Sequence, residues 1–312
     1  MFAEVIELVP LVGEVQSLFE SATAMIAARW KRDGRDKERL RAHYRVERRL
    51  ADRLRTAPDA EARRVIFATM YDELFHEVPD HPRLRASGSG QASRARDVLW
   101  NMAQLRSFLA PECTFLEVGA GDCALSSRVA AAVKTVYAVD ISDQHAGALP
   151  GNATLAISDG TSIPVPEGSV DVAFSDQLME HLPPEDAREQ LRNIQRALKP
   201  GGVYVCITPN RLYGPSDISA YFEHEARGFH LREYTLAEIV AILRDAGFGE
   251  VRAYAGARGL FVRVPRAFIG ATEWLLGCLP PGLRRRAAAT LPMRALLGLR
   301  VAAVKNPAGV KP

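Results

Sequence analysis

Before Thr114, apolar residues recur every three or four positions; from Thr114 onward they regroup into short runs separated by helical stretches. Phe115-Leu116-Glu117-Val118, Val136-Tyr137-Ala138-Val139 and Val170-Asp171-Val172-Ala173-Phe174 are rich in β-branched and aromatic residues and too short for helices, so they read as buried strands. Taken along the chain, this pattern predicts strands near 114–118, 135–139, 153–157, 170–175 and 203–208, with a sixth near 250–255. Helices are predicted near 122–132, 184–198 and 235–247. Strand and helix in alternation define an α/β fold with a mostly parallel sheet covered on both faces, and right-handed crossovers gather every strand's C-terminal end on one side.

The first part of the chain, 1–97, reads as a helical N-terminal cap. Phe2, Ile6, Val9, Val12, Phe19, Ala22 and Ile26 predict an amphipathic helix pair broken near Pro10 and Gly13. The segment 29–55 mixes Arg, Lys, Glu and Asp densely enough to predict a long solvated helix. A helix over 59–78 would bury Val65, Phe67, Met70, Leu74 and Phe75; Ser87-Gly88-Ser89-Gly90 reads as a flexible joint, and a helix over 92–109 leads into the first strand.

The chemistry concentrates where the first strand ends, at Val118-Gly119-Ala120-Gly121-Asp122-Cys123. Glycine permits positive φ and leaves no Cβ in a ligand's way, while the first amides of the following helix point into the gap. About 20 residues on, the second strand ends in Asp140, where nucleotide-binding sheets place a carboxylate for ribose hydroxyls. A ribose-bearing ligand is therefore expected. The nicotinamide fingerprint wants a third glycine where Leu125 and Ser126 stand, so that reading weakens.

The motif Glu117-x-Gly119-x-Gly121-x-Cys123 resembles the first motif of class I S-adenosylmethionine (SAM)-dependent methyltransferases, with Cys123 a mild departure from the usual glycine. Ser158-Asp159-Gly160, the run to Ser175, Leu178-Met179-Glu180-His181-Leu182 and Leu198-Lys199-Pro200-Gly201-Gly202 resemble the type 11 group in order and spacing. The resemblance implies a Rossmann-like seven-stranded sheet with an antiparallel last strand, and SAM as cofactor, leaving S-adenosylhomocysteine as product. It implies that Glu117, Gly119 and Gly121 border the methionine part, that Asp140 holds the ribose and that Ile141 packs on adenine. Asp159, with Gly160 beside it, would accept from the adenine amino group, and Ser175 and Asp176 would lie near the transferred methyl. On this reading 98–256 is the SAM-binding core, 257–296 a helical insertion at the substrate mouth, and 297–312 the last strand and tail.

Methyl transfer needs position, exclusion of water, and a base only where the acceptor holds a proton. His181, His224 and His230 are the candidate bases, because an imidazole titrates near neutrality; Asn210, Tyr213 and Tyr221 lie on the long loop after the fifth strand and are candidate substrate contacts. Asp176 with Asn210 is too thin a donor set for a metal, and none is expected. The insertion mixes Phe261, Phe268, Trp274 and Leu275 with Arg263, Arg266, Arg284, Arg285, Arg286 and Arg294 and one acid, Glu273. It either packs on the sheet or lies on an anionic membrane surface through 260–296. A small-molecule, glycan or lipid-linked acceptor methylated on oxygen is the favoured reading. The alternatives are a nicotinamide-dinucleotide-dependent oxidoreductase or epimerase and a non-catalytic SAM-binding scaffold.

Composition changes this little. At 47% apolar and 25% charged the chain can bury a sizeable core, and a net charge of +3 argues against a nucleic-acid partner. Four cysteines without metal spacing, and acids at 4, 7, 14 and 20 interrupting the first apolar run, point to a cytoplasmic protein, with peripheral contact at the inner membrane face as the variant.

Overall fold

A computed structural model of the chain describes residues 34–82, 84, 88–143, 147–257 and 259–307. The helix pair expected between Phe2 and Ile26 lies outside the described residues. The remainder contains an eight-stranded sheet in the order β3-β2-β1-β4-β5-β8-β6-β7. Its strands are β1 (Thr114–Val118), β2 (Thr135–Asp140), β3 (Ala153–Ile157), β4 (Val170–Asp176), β5 (Leu198–Thr208), β6 (Phe248–Ala257), β7 (Leu260–Val264) and β8 (Leu299–Lys305). Strands β3, β2, β1, β4 and β5 pair in parallel, and β8 enters between β5 and β6 antiparallel to both.

Seven strands were expected and eight are present. The extra one is β7, which turns back through Gly259 (φ +84°) and pairs antiparallel with β6 from Ala253–Val264 to Ala257–Leu260. The cause is local: Leu260-Phe261-Val262-Arg263-Val264 is β-branched and aromatic, and it follows a glycine in the left-handed region. The segment expected as wholly helical thus opens as a hairpin. It then forms α7 (Arg266–Gly277), α8 (Pro281–Ala288) and α9 (Leu291–Leu297).

Helices cover both faces of the sheet. On one, α5 (Pro184–Ala197) and α6 (Leu236–Asp245) bury Leu191, Ile194, Leu236, Ile239 and Leu243 against Leu116, Ala173 and Tyr204. On the other, α3 (Gly88–Leu105) and α4 (Ala124–Val129) bury Leu105, Leu125 and Val129 against Phe115, Val136, Val172 and Phe174. Of the joint expected at 87–90, residues 88–90 form instead the first turn of α3, where amides need no intrahelical partner, and residue 87 lies outside the described residues.

Two helices precede α3. The first, α1 (Lys37–Thr56), is capped by Asp36, whose carboxylate accepts from the Glu38 and Arg39 amides. It is not the solvated rod its charge suggests: Leu40, His43, Tyr44, Glu47, Leu50, Ala51 and Leu54 form a buried face. In α2 (Ala60–Glu77) Phe67, Met70 and Leu74 are buried as expected, whereas Val65 stays exposed. The Arg63 guanidinium forks onto the Asp186 carboxylate at 2.7 and 2.5 Å, with both side chains buried, and so fastens α2 to α5. The Arg49 and Arg53 pairs with Glu73 and Glu77 across α1 and α2 are half-exposed, and pairs of that kind contribute about 0–1 kcal/mol each. Among the described residues no helix is long and apolar enough to cross a membrane.

Candidate active site

The chain leaves β1 through Gly119 (φ +79°) and Gly121 (φ +52°), and Cys123 (φ +57°) also takes the left-handed conformation before α4 begins. A Cβ on Gly119 would sit 3.2 Å from the side chain of Leu178, just after β4, whereas one on Gly121 would meet nothing within 4 Å among the described residues, so the turn is closed against that segment and open at its tip. Asp140, at the end of β2, accepts from the Gly121 amide at 2.8 Å through Oδ2 and from the Ile141 amide at 2.8 Å through Oδ1. Beneath the turn Glu117 is buried and accepts from the Ser126 hydroxyl at 2.5 Å; burial pushes its pKa up to about 8.

Asp159 follows β3. Its Oδ1 accepts from the Thr161 amide (3.0 Å), the Thr161 hydroxyl (3.1 Å) and the Ser162 amide (2.7 Å). Burial raises its pKa, but the Ser162 and Thr161 donors outweigh burial and bring it down to about 2. Its Oδ2 faces Arg64 Nε of α2 at 2.9 Å, and Phe67 of the same helix lies 3.8 Å from where a Gly160 Cβ would be. Helix α3 reaches the same strand ends, with Asn101 donating to Asp176 at 2.8 Å and Arg94 facing Asp122 at 3.6 Å. Burial raises the Asp176 carboxyl.

Ser175 is displaced from its expected role. It is fully buried and shares a 2.7 Å hydrogen bond with the Tyr204 hydroxyl, because adjacent residues of a strand face opposite sides and only Asp176 faces Asn101.

Leu178 precedes a single 3-10 turn, Met179–His181. Here the structure joins two parts of the chain that the sequence keeps apart. His181 Nδ1 donates to the Phe229 carbonyl at 3.0 Å, and its ring stands edge-on to that of His230 with centroids 5.0 Å apart. His230 is buried with Nδ1 2.7 Å from Glu233 Oε1; burial lowers its pKa, yet Glu233, Glu180 and Asp217 together raise it. Glu180 is fully buried, accepts from Thr208 at 2.9 Å through Oε2, and burial pushes its pKa up to about 7. Among the described residues its Oε1 has no hydrogen-bond partner.

The other candidates lie elsewhere. His224 is exposed on the loop and does not join His181 and His230. Asn210 is fully buried and works as a clasp, donating to Glu273 (2.6 Å) and the Leu297 carbonyl (3.1 Å) while accepting from the Leu212 amide (2.9 Å). These partners use its amide group, so the expected substrate contact gives way to a structural one. Tyr213 lies 5.8 Å under the Arg294 guanidinium and Tyr221 packs 6.2 Å from Phe222; both belong to the loop on which the C-terminal segment rests. Sequence reasoning missed Glu180 and Glu233. The sign for Glu180 was an acid inside the otherwise apolar Leu178-Met179-Glu180-His181-Leu182; Glu233 had no local sign.

A sheet of this order, parallel from β3 to β5 with β8 inserted antiparallel, has the Rossmann-like fold of class I methyltransferases. The comparisons agree. The family model described as methyltransferase domain matches residues 116–206. Two Mycobacterium tuberculosis proteins named probable S-adenosylmethionine-dependent methyltransferases are 31% identical over 149 residues, 46% of this chain and 52% of each relative. A Mycolicibacterium smegmatis protein of the same description is 30% identical over 136 residues, 43% of this chain and 51% of its own. The match thus spans about half the length of these curated relatives. Among solved structures, Haemonchus contortus phosphoethanolamine N-methyltransferase 1 superposes with a TM-score of 0.51 at 17% identity, covering 81% of this chain and 51% of that one, a likeness of fold. The nicotinamide alternative is set aside.

Proposed function

We propose that this protein transfers the methyl group of SAM to a hydroxyl on an acceptor with an apolar portion, such as a lipid-linked intermediate. The observation that carries the reading is the juxtaposition, through Leu178 on Gly119, of the open glycine turn with the Glu180, His181 and His230 group. The turn fits the cofactor: two left-handed glycines bare the backbone for the methionine part, Asp140 offers a carboxylate to ribose hydroxyls, and Asp159 with Gly160 borders the adenine end. When bound, SAM supplies an electrophilic methyl on a sulfonium.

The chain's own contribution is to hold the two ends and keep water out. Arg64 and Phe67 of α2 close over Asp159 and Gly160, and Asn101 of α3 fixes Asp176. Imidazole and carboxylate groups beside the turn suit an acceptor that must lose a proton, which favours oxygen. The segment 260–296 leans on the acceptor-side loop through Arg285, bonded to the Ala220 carbonyl at 2.9 Å, and exposes Phe268, Trp274 and Leu275. That supports an apolar acceptor and contact with a lipid surface.

Incubation of the purified protein with methyl-labelled SAM and a cell extract, followed by phase partition, tests this. Label is expected in the organic phase and absent with Asp140→Ala. Label confined to the aqueous phase would replace the lipid-like acceptor by a polar one, and no label in either would remove methyl transfer.

A further inference from the structure

Where β4 and β5 end, the face of the sheet that α3 covers carries a row of polar side chains. Asp176 of β4 pairs with Ile207 of β5, and Ile207 pairs with Arg300 of β8. Partners directly opposite one another project to the same side, so Arg300 stands on the side where Asp176 meets Asn101. Ala253 of β6 pairs with Val301, which brings Tyr254 beside Arg300, and Tyr254 receives the Phe108 ring at 6.2 Å.

Arg300 is a half-buried guanidinium without an anion. It lies 5.5 Å over the Phe261 ring and donates one long hydrogen bond, at 3.5 Å, to the Gly298 carbonyl. Among the described residues it forms no ion pair, whereas Arg63, also buried, forks onto Asp186. Burial lowers its pKa, while Tyr213 and Asp176 favour the charged form. Its surroundings leave room for the group: a Cβ on Gly298 would meet the guanidinium and stand 3.1 Å from the Arg294 carbonyl. Tyr213, 5.8 Å under Arg294, feels both guanidiniums, which lower its pKa against the larger rise from burial. A guanidinium has five N–H donors in a planar fork that matches a carboxylate or a phosphate, and one removed from water needs them satisfied.

Gln104 of α3 is an independent sign. Asn101, Gln104 and Phe108 follow one another at steps of three and four residues, and the backbone still bonds four residues back at Arg106 and Leu109, so the three fall on one line along the helix. That line begins over β4, at Asp176, and ends over β6, at Tyr254; the strands crossed between are β5 and β8, where Arg300 stands. Gln104 is buried, and among the described residues neither its amide oxygen nor its amide nitrogen has a hydrogen-bond partner. A buried amide unpaired at both ends costs free energy that a bound polar group would recover.

We propose that Arg300 and Gln104 bind an anionic group of the acceptor, a phosphate or a carboxylate, and so select which acceptors are methylated. This rests on the methyl-transfer reading and narrows it: the acceptor is an anion with an apolar portion. Arg300 supplies charge and a two-pronged donor, and Gln104 adds an amide on the side of α3. Neither takes part in the methyl or proton transfer. Asp176, whose carboxylate would repel an anion, is already engaged by the Asn101 amide at 2.8 Å.

The test uses the full chain and two readouts. First, the labelled product of the extract assay is passed over an anion exchanger at neutral pH, where retention is expected. Retention that persists at about pH 2.5 identifies a phosphate, and retention lost there identifies a carboxylate, which is then neutral. Second, inorganic phosphate and acetate are each titrated into the ligand-free protein by calorimetry, and one of them should bind saturably. Arg300→Ala should weaken that binding at least about 10-fold, with Arg300→Lys, which keeps the charge without the fork, losing less. Gln104→Leu should weaken it several-fold while raising the unfolding midpoint of the ligand-free protein, a combination that a purely structural glutamine would not give. Arg211→Ala, an arginine already paired with Glu238, should leave it unchanged. A product not retained at neutral pH, or anion binding indifferent to both Arg300→Ala and Gln104→Leu, overturns the site; should Arg300→Ala fail to fold, Arg300→Lys and Gln104→Leu carry the same test. Label on a neutral product loses the anion site alone, whereas Arg300-dependent anion binding with no label in the extract loses the methyl-transfer reading alone.

Discussion

The amide of Gly121 donates to the carboxylate of Asp140 at 2.8 Å, so the tip of the turn after β1 is tied to the end of β2. One side chain thereby shapes the turn, and on the proposed reading it is also the group that would meet the ribose. Hydrogen bonds to a charged group contribute roughly 1.5–3 kcal/mol each. Asp140→Ala is expected to weaken SAM binding about 10–100-fold by calorimetry. Asp140→Asn, which keeps an acceptor oxygen, should lose less.

Glu117 sets a pH dependence of stability. Burial lifts its carboxyl from an ordinary 4.5 to about 8 in the folded protein. Below the lower value both states are protonated and stability is full. As pH rises, the unfolded chain ionises first, so stability falls until the folded carboxyl also ionises and then levels off. Each pKa unit corresponds to about 1.4 kcal/mol, so the slope is measurable. Urea unfolding of the ligand-free protein between pH 5 and 9 should show Glu117→Gln gaining on wild type as pH increases, with the Ser126 bond kept by the amide oxygen. A difference independent of pH would mean that Glu117 is ionised in the folded state throughout.

The Arg63 to Asp186 fork is a buried ionic tie between α2 and α5. Removing one member of such a pair leaves an uncompensated charge and typically costs about 3–5 kcal/mol. Asp186→Ala should therefore lower the urea midpoint strongly and release α2 for proteolytic cleavage. Arg49→Ala, on the exposed side of α1, should change stability by less than about 1 kcal/mol.

How much of this was legible in the sequence follows from how local each cause is. The strands from β1 to β5 announced themselves as short β-branched runs, and Gly119, Gly121 and Asp140 as a spaced motif, because strand and turn preferences act within a few residues. The buried face of α1 was hidden because arginines and glutamates fill the positions between Leu40, Tyr44, Leu50 and Leu54, and charge density masked the stripe. Ser175 failed for a related reason: its neighbour Asp176 faces Asn101, and a strand turns successive side chains to opposite sides. The Glu180, His181 and His230 group was illegible as a unit, since nothing near His181 says that Phe229 will fold back to accept its ring proton.

Asn210 offers a direct check between a substrate contact and a structural one. Its side chain joins the loop after β5 to α7 through Glu273, which also accepts from the Leu236 amide at the start of α6. Asn210→Ala leaves the buried Glu273 carboxylate short of a donor, and an unsatisfied buried group costs about 1–3 kcal/mol. The expected signature is a lowered unfolding midpoint with SAM affinity within about threefold of wild type. A large rise in acceptor KM at unchanged stability would restore the substrate role.

The exposed face of the C-terminal segment carries the last prediction. Ile269 and Leu276 of α7 are buried in the core, while Phe268 (58% exposed), Trp274 (69%) and Leu275 (61%) on the same helix face outward with Leu291 (73%) of α9. On the proposed reading a lipid surface would take up those rings, whose burial is worth about 25 cal/mol per Å2. Arg266, Arg284 and Arg286 of the same segment would add attraction to anionic headgroups, which salt screens, whereas Arg263 is paired with Glu250 at 2.7 Å, Arg285 is bonded to the Ala220 carbonyl and Arg294 lies over Tyr213. Sedimentation with vesicles containing anionic lipid should therefore carry the protein down at low salt and less of it at high salt, and Trp274→Ser with Leu275→Ser should reduce binding several-fold while leaving SAM affinity unchanged. Equal binding to neutral and anionic vesicles would leave the arginines without a part in it, and no binding to either would return this face to water.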